Sequence, residues 1–123
     1  MTAMATASTV LTGIVALLHV YFLVLEMFLW TTPFGRKTFK RSKEEMEQTK
    51  VLAANQGLYN GFLAAGLVWS MIAETPLAFP LRVFFLGCVL IAGIYGAATA
   101  ARTILFAQAL PAAIALAVTF AAR

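Results

Sequence analysis

A chain of 123 residues that is 62% hydrophobic and 11% charged falls far below the roughly 25% charge of a soluble domain. That excludes an ordinary water-exposed globule and points to a surface facing lipid. The net charge is +4, and six of the nine cationic residues (Arg36, Lys37, Lys40, Arg41, Lys43 and Lys50) share one short segment. This run reads as a cytoplasmic loop obeying the positive-inside bias rather than as a nucleic-acid site, and the same charge suits anionic lipid headgroups.

The length fits a single transmembrane domain and is too short for an anchor plus a separate globular unit. Cys88 has no second cysteine to pair with and reads as a small packed hydrophobe. No basic residue precedes the first apolar run, so that run reads as a retained helix rather than a signal peptide. Neither Met1-Thr2 nor the cysteine-free C-terminal stretch matches a lipidation signature.

Four continuous apolar segments follow in chain order, 7–30, 51–72, 81–101 and 104–122. Each approaches the roughly 20 residues a helix needs to cross a core of about 30 Å. Continuous rather than alternating patterning, and the need to pair backbone groups within each segment, favour helices over strands. The expected architecture is an all-α, four-helix transmembrane bundle. The first helix ends at Thr31-Thr32-Pro33-Phe34-Gly35, because a proline disfavours helical geometry in the residue before it. Ser42 and Glu45 have capping-box spacing, so the second helix is expected to begin near Ser42, ahead of the membrane. Thr75-Pro76 closes it, and Pro80 suits the first turn of the third helix. Arg102-Thr103 is the polar break before the fourth, which carries an internal kink at Pro111, where the Ala107 carbonyl loses its donor.

Orientation follows from charge. With 36–50 in the cytoplasm, Arg102 is also inside, and seven Lys/Arg oppose two outside, Arg82 and Arg123. The chain is then expected to be a multi-pass protein of the bacterial inner membrane with both termini outside. Small residues recur every four positions in the second helix (Ala53, Gly57, Gly61, Ala65) and in the third (Ala92, Gly96, Ala100), so these two helices are expected to pack closely. Ala113, Ala117 and Ala121 on the fourth form a surface suited to a second copy, and so to a homodimer.

Glu26 is the chemically informative residue. A carboxylate within an apolar span costs about 3 kcal/mol on insertion scales and calls for a partner, pathway or ligand. His19 lies seven residues earlier, only about 20° away around the helix. Asn55, Gln56, Tyr59 and Asn60 form a polar patch on the second helix. Tyr95, Thr99 and Arg102 share a face of the third, and Gln108 lies on the fourth. Counted from the cytoplasmic ends, these groups lie in the inner half or near the midplane, which describes a polar pocket open to the cytoplasm and closed outward by Leu, Val, Phe and Ala. Each also has a structural reading: Glu26 pairing with Arg102 or a loop lysine, the amides bonding across helices, and the tyrosines packing with bonded hydroxyls. One histidine without a cysteine pair argues against zinc or haem within one chain.

The strings His19-Val-Tyr-Phe-Leu-Val-Leu-Glu-Met-Phe-Leu-Trp30 with Pro33 and Gly35, Thr49-Lys-Val-Leu-Ala-Ala-Asn-Gln-Gly-Leu-Tyr-Asn-Gly61, Gly93-Ile-Tyr-Gly96 and Gln108-Ala-Leu-Pro111 resemble a family of small bacterial integral membrane proteins defined only as a domain of unknown function. The resemblance covers nearly the whole chain and implies a four-helix inner-membrane protein without implying an activity. The small multidrug transporters, dimeric four-helix chains with a glutamate in the first helix, are similar in architecture only. They lack the long basic first loop and the Asn/Gln-rich second helix seen here.

Three functions fit these residues. One is binding or transport of a small solute, with Glu26 coupling proton binding to solute binding and His19 sharing the proton, since histidine titrates near neutrality. A membrane-embedded enzyme acting on a lipid or quinone-like substrate would use Glu26 and His19 as general acid and base, although no nucleophile arrangement accompanies them. A structural or accessory subunit would use the same polar groups as interhelical bonds.

Overall fold

The computed structural model describes residues 2–123. Five α-helices and one π turn form the chain, with no strand among the described residues. They are α1 (Ala3–Met27), α2 (Pro33–Phe39), α3 (Lys43–Ile72), α4 (Ala78–Thr99), the π turn (Leu105–Ala109) and α5 (Leu110–Ala121). Among the described residues, only α1 and α4 are both long and apolar enough to cross a membrane by length and composition. The polar residues of α3 lower its hydropathy. The π turn and α5, 5 and 12 residues long, reach roughly 25 Å at 1.5 Å per residue.

The sequence signals are realised with three differences. Thr32 is extended (φ −77°, ψ 162°), as the following proline requires. The segment then re-enters a helix at once rather than forming a loop. Pro33 occupies N1, and the Thr32 hydroxyl accepts from Gly35 N–H at 3.2 Å while donating to the Leu29 carbonyl at 2.7 Å. The basic segment is therefore largely helical, and Lys40 ends α2 in the left-handed region (φ 55°).

The capping box that opens α3 forms as expected. Glu45 N–H donates to Ser42 Oγ (3.2 Å) and Ser42 N–H to Glu45 Oε1 (3.3 Å). The Ser42 N–H holds the Glu45 carboxyl below its usual range, helped by the Ser42 hydroxyl and Arg41.

The irregularity expected at Pro111 takes the form of the π turn just before it. Leu110 N–H reaches the carbonyl of Leu105, five residues back. The wider turn absorbs the proline.

The third difference concerns packing. The Gly57/Gly61 stripe of α3 receives α1 rather than α4. A Cβ on Gly57 would lie 2.7 Å from Met27 Cγ and 3.2 Å from the Leu23 carbonyl oxygen, and one on Gly61 would lie 2.7 Å from Leu23 Cδ1. On α4, Gly93 and Gly96 instead receive Ala109 and Ile104, on the segment that follows in sequence.

The chain divides into two compact units. One comprises the chain up to Leu17 together with Leu63–Arg123. Its core contains Val15, Ala16, Leu67, Leu86, Val89, Ala112 and Ala115. The other is Leu18–Phe62, in which the ends of α1 and α2 are tied down by the Trp30 ring. That ring lies 4.7 Å from Phe39, and its Nε1–H donates to Thr49 Oγ1 at 3.0 Å.

Along α1 the usual pattern of a water-soluble helix is inverted. Ser8, Thr12, His19 and Glu26 are buried, whereas Val10, Ile14, Leu17 and Tyr21 are exposed, Leu17 to 69%. The spacing puts the polar set on one stripe and the apolar set on another. A polar interior beneath an apolar exterior is the informative departure from a soluble fold. On α4, Phe84, Ile91 and Ile94 are likewise exposed, Ile91 to 71%.

Candidate functional site

Within the unit Leu18–Phe62, α1 supplies Glu26 and α3 supplies its partners. Gln56 and Asn60 are four residues apart and therefore share a helical face. The adjoining glycines let the α1 backbone approach that face. Glu26 is 6% exposed. Its Oε2 accepts from Gln56 Nε2 and its Oε1 from Asn60 Nδ2, both at 2.5 Å. The carboxylate thus rests on two neutral amides, one per oxygen. The ion pairs among the described residues, Arg41–Glu45 (3.5 Å) and Lys50–Glu47 (3.0 Å), lie elsewhere, around the start of α3. The structural alternative of a cationic partner, Arg102 or a loop lysine, is not what the structure shows at Glu26, whose bonds are to the two amides.

His19 is fully buried, on the same stripe of α1 as Glu26, with its ring edge-on to Phe22 at 5.1 Å. Asn60 is half-buried, while Gln56 is exposed at the edge of the site. Of the predicted constellation, the structure brings Glu26, Gln56 and Asn60 into contact, with His19 on the same buried stripe of α1. Asn55 and Tyr59 are exposed on α3, and the Tyr59 ring stacks edge-on against Phe62 at 5.6 Å.

The remaining predicted residues belong to the other unit. Tyr95, Thr99 and Arg102 are exposed, and the Thr99 hydroxyl donates to the Tyr95 carbonyl one turn back, at 2.7 Å. Tyr95 and Thr99 share an exposed face of α4, but Arg102 does not, because the helix ends at Thr99 and Arg102 lies in the turn beyond it. Gln108 is half-buried within the π turn and takes part in a bonded contact.

The expectation that the outer ends of the helices hold almost no polar groups is overturned. Arg82, one of the two cations assigned outside, is drawn inward at the start of α4. Its Nη1 donates to Ser8 Oγ (2.9 Å) and Thr9 Oγ1 (3.4 Å), and its Nη2 to the Ser70 carbonyl (3.4 Å). Ser8, Ser70 and Thr119 are buried around it. Sequence reasoning missed this cluster because serine and threonine are small enough to pass as apolar-compatible in a membrane helix. The available signal was the polar stripe Ser8, Thr12, His19 and Glu26 along α1, with Arg82 at the edge of an apolar run.

Comparison with known proteins fits the resemblance read from the sequence. The profile of the family described as "Protein of unknown function (DUF1304)" matches residues 13–120. The "Uncharacterized protein YpaA" of Lactococcus lactis subsp. lactis (strain IL1403) is 30% identical over 107 residues, covering 85% of this chain and 89% of that protein. No solved structure matches.

Proposed function

The chain belongs to the DUF1304 family, and from that premise we propose that it is a multi-pass inner-membrane protein that binds or transports a small solute at a polar pocket around Glu26. The observation that carries this reading is a buried carboxylate held by two amides instead of a cation. An arginine partner would fix the charge. Amide donors leave the carboxylate free to take up a proton or a cationic group without first breaking an ion pair. A carboxylate oxygen has two lone-pair positions, so each still has an acceptor site beyond its amide bond. His19, two turns away on the buried stripe, is the second group able to hold a proton there.

The inverted burial of α1 supports a lipid surround, and the apolar exposure of α4 extends it. In this arrangement α3 and the segment 104–122 complete a four-helix bundle. Gln56 and Asn60 of α3 are tolerated because they bond Glu26. The basic segment at α2 and the start of α3 lies in the cytoplasm against anionic headgroups, and both termini lie outside. Ala117 and Ala121 are exposed and provide a surface for a second copy.

Proteoliposomes containing the full chain test the reading with a panel of labelled amines, amino acids and sugars under an imposed pH gradient. The expected result is flux of at least one class, with its pH dependence abolished in Glu26→Gln. If no class moves, or if the variant matches the wild type in both flux and pH dependence, the coupling role is wrong. Dicyclohexylcarbodiimide, which consumes protonated carboxyl groups in apolar surroundings, should give one adduct in the wild type and none in Glu26→Gln.

One observation favours a structural reading beside this one: both carboxylate oxygens already have a donor. If the trio serves only to join α1 to α3, replacing it should lower the melting temperature sharply and leave any flux per folded molecule unchanged, whereas site residues made apolar should cost little stability.

A further inference from the structure

A second polar site lies in the unit formed by the chain up to Leu17 and Leu63–Arg123, where a cavity of about 380 Å³ is lined by Ser8, Thr9, Arg82, Thr119 and Arg123, with Phe79 on its wall. The Arg123 guanidinium lies 4.5 Å from the centre of the Phe79 ring. No acidic residue lines the cavity. The first turns of α1 and α4 and the last turns of α3 and α5 all contribute to the wall. Two positive and two negative helix ends therefore offset one another, and the two arginines set the sign.

The hydroxyl groups do not offset that charge, and their protons are already committed. Thr119 donates to the Ala115 carbonyl (2.7 Å), so in the 2.7 Å Ser8–Thr119 bond Ser8 must be the donor. Thr9 donates to the Ala5 carbonyl and Ser70 to the Leu67 carbonyl. Ser8 and Thr9 therefore meet Arg82 as acceptors.

Of the five N–H donors of Arg82, three reach Ser8, Thr9 and the Ser70 carbonyl. Nε–H and one Nη2–H remain, and Nε is buried with no partner. A buried donor left unpaired is costly and calls for a partner. A guanidinium with two donors left over matches an oxyanion, which it can grip through two parallel bonds.

We infer that the Arg82–Arg123 cavity binds a phosphate group, either free in solution or carried on a lipid headgroup. Arg82 supplies the fork, Arg123 adds the second charge, and the hydroxyl groups hold Arg82 in place without competing for the anion. This inference uses none of the Glu26 residues, so the two readings stand or fall separately.

The test uses the full chain purified in an uncharged detergent. Inorganic phosphate is titrated against melting temperature, and phosphatidylglycerol retention is measured by native mass spectrometry. Saturable stabilisation by inorganic phosphate identifies the free anion. Retention of phosphatidylglycerol without it identifies the headgroup. Whichever probe binds, Arg82→Gln should weaken it at least about tenfold, Arg82→Lys by less because it keeps the charge and loses the fork, and Arg123→Gln about threefold. Binding of neither probe by the wild type overturns the inference, as does binding by folded Arg82→Gln within twofold of the wild type. If Arg82→Gln does not fold, Arg123→Gln decides: binding within twofold of the wild type overturns the site, and a larger loss supports it.

Discussion

Glu26 shows how a single charge in an apolar helix is accommodated, and its two amide partners are not equivalent. Asn60 is half-buried, whereas Gln56 is exposed. Removing a donor from a buried, charged acceptor leaves that acceptor unsatisfied, at a cost of about 1.5–3 kcal/mol. At an exposed edge, water or a lipid headgroup replaces the lost donor. Asn60→Ala should therefore lower the unfolding free energy in detergent by that amount, and Gln56→Ala by less than about 1 kcal/mol. Equal losses would mean that the two oxygens experience the same surroundings and would remove the distinction between an inner and an outer side of the site. That His19 and Glu26 share one stripe of α1 was legible from helical spacing alone. The choice of amides over Arg102 as partners was not, because spacing gives the face a residue occupies on its own helix and does not say which helix faces it. The same gap placed Tyr95 and Thr99 in the pocket, although they are exposed. Arg82 escaped notice because its acceptors, Ser8, Thr9 and the Ser70 carbonyl, come from two other helices.

At the scale of elements, starts and stops were legible because they depend on residues close in sequence. Ser42 and Glu45 cap α3, Pro80 sits in the first turn of α4, and Arg102 lies in the turn that ends it. The short helix α2 was missed because Thr31-Thr32-Pro33 signals a helix stop and a helix start at once. Pairing between elements was harder to read, since a stripe of small residues announces a close approach without naming its partner. The structure makes that approach testable on α4. A Cβ at Gly93 would lie 2.6 Å from Ala109 N and 2.8 Å from its Cα, whereas one at Gly87 would meet nothing within 4 Å. Backbone cannot yield as a flexible side chain can, so Gly93→Ala should destabilise the chain by about 1–3 kcal/mol. Gly87→Ala, on the same helix, should be neutral or stabilise it by up to about 1 kcal/mol through helix propensity. Thermal unfolding of the two variants in detergent measures the difference, and similar melting temperatures would show that α4 does not pack tightly against the π turn.

For the whole molecule the open quantity is the number of crossings, since composition alone qualifies only α1 and α4. The case for four rests on how polarity is distributed in the fold. The polar face of α3 is occupied by Glu26, so Asn60 need not meet lipid, and the polar end of α1 is occupied by Arg82. The two charged groups within the spans, Glu26 and Arg82, therefore meet protein partners rather than lipid, the condition for tolerating charge at membrane depth. Four crossings fix the side of every connection. In a Cys88→Ala background, Lys43→Cys and Arg102→Cys should react with a membrane-impermeant maleimide only from the cytoplasmic side. Glu74→Cys and Arg123→Cys should react only from the outer side. The decisive pair is Arg102 and Arg123, because the segment between them is the shortest of the four. Reaction of both from one side would show that the π turn and α5 do not cross. The phosphate site would then have Arg82 and Arg123 on opposite faces of the membrane, which the cavity they share excludes if α4 crosses at all. Labelling from opposite sides is therefore required by the bundle and by the Arg82–Arg123 cavity together.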